Sequence, residues 1–126
     1  MKDFPQISEA ELEVMKVLWE LKQATSTQIV DKLINNSDWK PKTIHTLITR
    51  LVTKQAVIAN KIDGKSYMYY PNINEEDYKN YANESFLQKL YSGSINMMLT
   101  TFIKENRLSK QDISELRKLL DEDKEV

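Results

Sequence analysis

The sequence predicts a mainly α-helical fold with one small β-hairpin, arranged as a winged helix-turn-helix followed by a helical C-terminal domain. Three short segments with apolar residues at helical spacing come first. Two β-rich runs, Val57 to Lys61 and Lys65 to Tyr70, then flank Asp63-Gly64, a dipeptide typical of tight hairpins. Three more helical patterns follow Pro71. Three helices and then a hairpin is the order of elements in a winged helix.

Capping residues mark the starts of the three N-terminal helices. The first is predicted to begin at Ser8, which can form a capping box with Glu11. The second follows a capping segment at residues 24–28 and ends in the polar run at residues 35–37. The third begins at Pro41, because proline lacks an N–H that the first turn of a helix leaves unpaired in any case. Its predicted buried side consists of Ile44, Leu47, Ile48 and Leu51.

The composition is typical of a globular protein, and we expect it to work in the cytoplasm. Of its 126 residues, 40% are hydrophobic and 29% are charged, and no apolar run is long enough for a membrane span. The first nine residues lack the apolar centre of a secretory signal. The absence of cysteine excludes disulfides and thiolate metal sites. We therefore expect no membrane insertion, no cofactor and no metal site.

Positive charge is concentrated in the middle of the chain. Residues 38–70 carry six Lys or Arg against two Asp or Glu, whereas the formal net charge of the whole chain is −1. A surface that binds nucleic acid needs such a local excess, because affinity for phosphates depends on nearby charge and not on the overall balance. An ordinary solvated surface is also compatible with this distribution.

The side of the third helix opposite its apolar residues, here called the outer face, carries no acid. It combines cationic side chains and short hydroxyls, which contact phosphates and base edges when a helix lies in the major groove. The hairpin adds Lys61, Lys65 and Tyr67 as candidate DNA contacts, and Ser26 at the start of the second helix is another. Tyr67 and Tyr69 share one face of their strand, and which face meets DNA is left open. The outer face consists of Lys42, Thr43, His45, Thr46, Thr49 and Arg50.

Catalysis is the least favoured function for this sequence. His45 is its only histidine, so one chain cannot assemble a histidine-based metal cluster. The stronger alternative to DNA binding is a winged helix that acts as a protein-interaction module. A protein-docking face would more often expose apolar or aromatic residues, so the acid-free outer face favours DNA.

The three C-terminal helices predict a homodimer. Their apolar stripes follow a winged domain that closes at Pro71, and a lone three-helix tail would leave those stripes in water. We expect residues 1–73 to form a DNA-binding domain and residues 74–126 to form a helical dimerisation domain, so that the dimer binds a palindromic double-stranded operator. The side chains expected to face the partner chain are Ile95, Met98, Leu99, Phe102, Ile103, Leu116 and Leu120.

Three segments resemble the penicillinase repressor (BlaI/MecI) family of transcriptional repressors. They are ISEAELEVMKVLW at residues 7–19, WKPKTIHTLITRL at residues 39–51 and SFLQKLYSGS at residues 85–94. The resemblance implies a winged-helix homodimer whose C-terminal helices interlock. His45 stands where relatives often have Arg or Gln, so the resemblance leaves the base preference at one position open. The recognition contacts implied by the resemblance are Lys42, Thr43, Thr46 and Arg50.

The same resemblance implies a pathway of antibiotic resistance. Repressors of this family control β-lactamase or related genes, and cleavage of the tail inactivates them when a membrane sensor protease responds to β-lactams. Relatives are cut in a Leu-Asn-Phe context. The corresponding segment of this chain is Leu99-Thr100-Thr101-Phe102, in which Thr101 replaces the asparagine, and the resemblance implies cleavage at Thr101 and Phe102. A copper-responsive branch senses metal through C-terminal cysteines, which this chain lacks.

Overall fold

A computed structural model describes residues 4–123, which form six helices and one two-stranded antiparallel hairpin. The order of these elements confirms the predicted fold class, mainly α-helical with a small hairpin after the third helix. The elements are α1 (Glu9–Leu21), α2 (Ser26–Ile34), α3 (Pro41–Thr53), β1 (Val57–Asp63), β2 (Ser66–Pro71), α4 (Glu75–Tyr91), α5 (Ile95–Lys104) and α6 (Lys110–Asp123).

The chain divides into two compact units, and the division falls inside α4, between Tyr81 and Ala82. The first unit contains α1 to α3, the hairpin and the first turns of α4, and the second contains the remainder of α4 with α5 and α6. The expected functional boundary after residue 73 stays a prediction, and the outer ends of its two domains, residues 1–3 and 124–126, lie outside the described residues. No helix within residues 4–123 combines the length and apolar character needed to cross a membrane.

The core of the first unit is built from one side each of α1, α2 and α3. In α3 the buried residues are those that the sequence predicted. Trp19 and Trp39 are half-buried against this core, and the indole N–H of Trp19 donates a hydrogen bond to the backbone oxygen of Ile73 at 2.8 Å. Both tryptophans therefore act as packing residues. The large apolar side chains buried in this core include Val14, Met15, Leu18, Ile29, Leu33, Ile44, Leu47, Ile48, Leu51 and Val57.

Aromatic side chains attach the first turns of α4 to the rest of the first unit. The ring centroids of Trp19 and Tyr78 are 5.8 Å apart, and those of Phe4 and Tyr81 are 4.8 Å apart. Phe4 also meets Tyr78 edge-on at 6.3 Å. Burial raises the pKa of the Tyr78 phenol, and the neighbouring Tyr81 adds to this shift. These contacts explain why the first unit extends past the end of the hairpin.

Side-chain caps are present at the starts of several helices, and those of α1 and α2 lie where the sequence predicted them. Thr25 caps α2 by accepting a hydrogen bond from the N–H of Gln28 at 3.3 Å, and the Gln28 side chain accepts one from the N–H of Thr25 at 2.8 Å. Asn74 caps α4 by accepting from the N–H of Asp77 at 3.1 Å. Ser92 and Gly93, directly after α4, break the helix with φ angles of 51° and 83°.

The hairpin turn lies one residue later than the sequence predicted. β1 continues to Asp63, which pairs with Ser66, so the two turn residues are Gly64 and Lys65 and not Asp63 and Gly64. Gly64 has a φ of 31°, a conformation that glycine adopts without a steric penalty. The strand register slips around Ile62, and this bulge lengthens β1 by the extra residue. Lys65, predicted as a strand residue, therefore lies in the turn.

A buried carboxylate joins the start of α1 to the end of α3. The Glu11 side chain is 2% exposed, and its Oε1 atom accepts hydrogen bonds from Lys54 Nζ at 2.6 Å and from the N–H of Ser8 at 2.8 Å. Burial raises the pKa of this carboxyl, but the bonds from Lys54 and Ser8 and the charge of Lys54 outweigh burial and hold the pKa below its ordinary value. Lys54 therefore neutralises the charge that α1 buries.

Replacing Lys54 by Met should cost about 3–5 kcal/mol of unfolding free energy at pH 7, because the buried carboxylate of Glu11 loses its cationic partner. The lowered pKa of Glu11 in the wild type contributes stability above about pH 4.5, and this is lost as the pH falls through the folded pKa. In Lys54→Met, burial without the lysine raises the pKa, so the destabilisation should be smaller at pH 4 than at pH 7. Urea unfolding at both pH values measures this difference.

The exposed ion pair between Lys16 and Glu13 on α1, with its atoms 3.0 Å apart, offers a matched control. Lys16→Met should change the unfolding free energy by less than about 1 kcal/mol, because water solvates both side chains. Equal costs for Lys54→Met and Lys16→Met at pH 7 would contradict the role assigned to Glu11.

Candidate nucleic-acid interface

All six residues of the outer face of α3 are exposed, whereas the four apolar residues of the opposite side are buried. The helix carries no Asp or Glu along its length. Its polar side is thus a continuous surface of cations, hydroxyls and one imidazole, as the sequence predicted. Contact between the residues of the outer face and DNA stays a prediction.

Two threonines of the outer face have their hydroxyl protons engaged within the helix. Thr46 Oγ1 donates to the backbone oxygen of Lys42 at 3.0 Å, and Thr49 Oγ1 donates to that of His45 at 3.0 Å. Each hydroxyl oxygen keeps its capacity to accept a hydrogen bond, and each threonine also keeps a methyl group. The outer face can therefore offer acceptors and small apolar contacts beside its cations, which suits base edges such as an amino group or the thymine methyl.

The N-terminus of α3 differs from the other helix starts in residues 4–123, because it has no side-chain cap. Acceptors on Ser8, Thr25, Asn74, Ser94 and Ser109 cap α1, α2, α4, α5 and α6. The N-cap position of α3 is instead Lys40, which makes no such bond.

This open end of α3 adds to the charge of the outer face. Pro41 has no N–H, and the next amides, those of Lys42 and Thr43, precede the first intrahelical bond, which runs from Ile44 to Lys40. Free amides at a helix N-terminus favour an anion. Sequence reasoning missed Lys40 and these amides, although the absence of Ser, Thr, Asp or Asn directly before Pro41 was a visible signal.

The hairpin places two candidate residues opposite each other. Lys61 and Tyr67 are cross-strand partners, and Tyr67 is 42% exposed. Tyr69 lies on the same strand face and is half-buried against the core, where its backbone pairs with Ala24. That face of the hairpin therefore packs on the core at Tyr69 and becomes exposed toward the turn. The turn itself carries Lys65, also exposed.

Ser26 differs from the other candidate DNA contacts in its exposure. It is the first residue of α2, is half-buried, and does not cap the helix, since Thr25 does so.

Most cations of this region are free to meet phosphates. Lys40, Lys42, Arg50 and the hairpin lysines form no ion pair with another residue in the range 4–123. Lys54 is the exception, because Glu11 holds it.

The second unit exposes a large apolar surface. Within residues 82–122 no side chain is buried, and several large apolar ones are more than half exposed, up to 65% for Leu120. Phe102 meets Tyr91 edge-on at 6.5 Å but remains half-exposed in α5. Leu90, Met97 and Leu119, which are not among the residues expected at the interface, are equally exposed. Of the residues expected at a dimer interface, Ile95, Ile103, Leu116 and Leu120 are exposed, and Met98, Leu99 and Phe102 are half-buried.

The family model of the penicillinase repressor matches residues 7–122. This chain belongs to the penicillinase repressor family. It is 42% identical to the penicillinase repressor of Bacillus licheniformis over 124 residues, which covers 98% of this chain and 96% of that relative. It is also 40% identical to the methicillin resistance regulatory protein MecI of Staphylococcus aureus (strain N315) over 115 residues, covering 91% and 93% of the two chains.

Solved structures of the repressor BlaI match part of the chain. The DNA-binding domain of the repressor BlaI is 46% identical, with a TM-score of 0.54 over 62% of this chain and 94% of that domain. The same values hold for the monomeric form of Bacillus licheniformis BlaI in complex with the blaP half-operator. The match to the BlaI DNA-binding domain confirms the predicted winged helix. The family consists of transcriptional repressors, which confirms the prediction that the protein is not an enzyme.

Replacing Lys40 by Ser should raise the unfolding free energy by about 1 kcal/mol. Lys40 has the extended backbone of an N-cap residue, with φ −85° and ψ 156°, so a serine hydroxyl there can accept from the N–H of Thr43. Thermal or urea unfolding measures the gain. The same substitution at Lys16, inside α1, supplies no cap and should not stabilise; a similar gain at both positions would contradict the open end of α3.

Proposed function

We propose that this member of the penicillinase repressor family binds a palindromic operator as a homodimer and represses transcription. The observation that carries the proposal is the exposed, acid-free outer face of α3, directly followed by a hairpin with further cations. The complex of BlaI with the blaP half-operator, a domain 46% identical to this chain, supports the same use of this fold.

In this proposal α3 lies in the major groove with its N-terminus toward the phosphate backbone. Lys42 and the open amides at the start of α3 contact phosphates, while His45, Thr46, Thr49 and Arg50 reach base edges. Thr43, Lys61, Lys65, Tyr67 and Ser26 add contacts to the backbone or an adjacent groove. The alternative of a protein-interaction module has less support, because the outer face of α3 exposes no large apolar side chain.

The homodimer is proposed to form through the second unit. Apolar side chains in α5 and α6 that lie in water in one chain would lose that exposure against a second copy. A two-fold dimer then presents two recognition helices to half-sites about one helical turn, or a multiple of it, apart. Binding of one half raises the effective concentration of the other at its half-site, which increases operator affinity without any new contact.

The regulated genes are proposed to encode a β-lactamase or related resistance functions, by membership in this family. Release would follow cleavage of the tail at Thr101 and Phe102 in the cytoplasm, in a pathway that starts from a membrane sensor protease. Both residues lie inside α5, and the Thr101 hydroxyl donates to the backbone oxygen of Met97 at 2.8 Å. Because a bound peptide substrate is extended, α5 must unwind locally before it can be cut.

Arg50→Ala should weaken operator binding by about 1–3 kcal/mol and relax the preference at one base pair, as loss of a bidentate base contact would do. Lys42→Ala should weaken all duplexes alike and lower the slope of log affinity against log salt by about 0.9. The probe is a palindromic duplex recovered by the wild type from a randomised library, beside a scrambled duplex of equal composition.

Lys118→Ala is the control for these DNA titrations, because Lys118 is an exposed cation of α6 in the second unit. It should leave the affinity for both duplexes within twofold of the wild type. Equal affinity of the wild type for the palindromic and scrambled duplexes at physiological salt would contradict operator recognition and favour the protein-interaction alternative.

Phe102→Ala should shift the protein toward monomers, because removing most of this side chain costs about 3–5 kcal/mol for each copy buried in an interface. Operator affinity should fall in parallel as the two halves bind independently. Sedimentation velocity over a concentration series measures the dimer constant. Thr100→Ala, at an exposed position of the same helix, should leave it unchanged. A Phe102→Ala protein as dimeric as the wild type would refute this interface.

A further inference from the structure

The C-terminal end of α3 is held by a charged residue that does not point to the outer face. Lys54, the C-cap residue, follows Leu47 and Leu51 along the buried side of the helix, at spacings of four and three. Its Nζ atom lies 2.6 Å from Glu11 Oε1 and 2.7 Å from the backbone oxygen of Gln6. Two of the three N–H donors of this ammonium group are therefore engaged by residues at and just before the start of α1.

The next two residues form a tight turn from α3 into β1. Gln55 has a φ of 65°, in the left-handed region, and donates its N–H to Val52 at 3.0 Å. The N–H of Ala56 bonds to the backbone oxygen of Leu51 at 2.9 Å. These two bonds make a Schellman motif, which leaves little freedom in the direction in which β1 departs from α3.

Asn72, which follows the last residue of β2, closes the same turn from the other side. Its side-chain Nδ2 donates to the backbone oxygen of Gln55 at 2.8 Å, and its backbone N–H donates to the oxygen of Ala56 at 2.9 Å. The end of the recognition helix and both strands of the hairpin therefore meet in one hydrogen-bonded junction, which Lys54 ties to Glu11 in α1.

We infer that Glu11, Lys54 and Asn72 are positioning residues for operator recognition: the Glu11–Lys54 pair holds the end of α3 against α1, and Asn72 sets the angle between α3 and the hairpin, without any of the three touching DNA. The inference rests on the proposed function. Base contacts depend on short, directional hydrogen bonds, whereas phosphate contacts tolerate displacement. Loosening this junction should therefore reduce discrimination between operator and other DNA while leaving non-specific affinity intact.

The test uses the full-length protein with the same selected palindromic and scrambled duplexes, titrated over a salt series. Lys54→Met and Asn72→Ala should each lower the ratio of the two affinities by about tenfold, the loss of one good base contact, with the salt slope unchanged. Lys54→Arg, which keeps the charge beside Glu11, should retain most of the ratio. Asn72 is exposed, so its variant keeps the test informative where Lys54→Met unfolds.

Other results would overturn the inference. If Lys54 contacts phosphate, Lys54→Met weakens both duplexes alike and lowers the salt slope by about 0.9. If the junction serves stability alone, both variants lose unfolding free energy but keep the wild-type affinity ratio. Lys16→Met, which removes an exposed pair on α1, should change neither ratio nor slope. Failure of the wild type to discriminate the two duplexes is a separate outcome, which refutes the proposed function itself.

Discussion

The amphipathic character of α3 is the constraint on which the rest of the structure depends. Its apolar side supplies four of the buried core residues of the first unit, so the helix cannot rotate about its axis without exposing them to water. This burial fixes which residues face outward. The acid-free outer face is thus presented by the same packing that folds the unit, and a substitution that shifts α3 in the core also shifts the surface proposed to read DNA.

Features repeated along a helix were predictable from the sequence, because burial follows the helical period. The buried side and outer face of α3, the capping residue Asn74 and the break at Ser92-Gly93 all follow from local pattern and residue type. The position of the hairpin turn was one residue wrong, since the bulge at Ile62 depends on how two strands pair.

Contacts between distant residues could not be predicted in this way. Glu11 is the third residue of a predicted capping box and in isolation suggests an exposed acid, yet it is buried with Lys54, 43 residues away. Lys54 belongs to the basic segment of the sequence, although the carboxylate of Glu11 neutralises its charge. No local rule links these positions, because their meeting depends on how α1 packs against α3. The apolar stripes of the second unit were predictable, because each is a local pattern. What covers those stripes could not be predicted from local pattern.

The two ends of α3 are treated in opposite ways. At its C-terminus, a Schellman motif and the Asn72 amide satisfy backbone oxygens, and the Lys54 ion pair holds the helix in place. At its N-terminus, the protein forgoes the side-chain cap that the other helices in residues 4–123 have, and a lysine takes the cap position. A stabilising side-chain cap is easily acquired by substitution. A helix start that lacks such a cap is therefore expected where function needs the free amides. A helix anchored at one end and open at the other suits a surface that must bring its N-terminus to a phosphate and keep its direction while doing so.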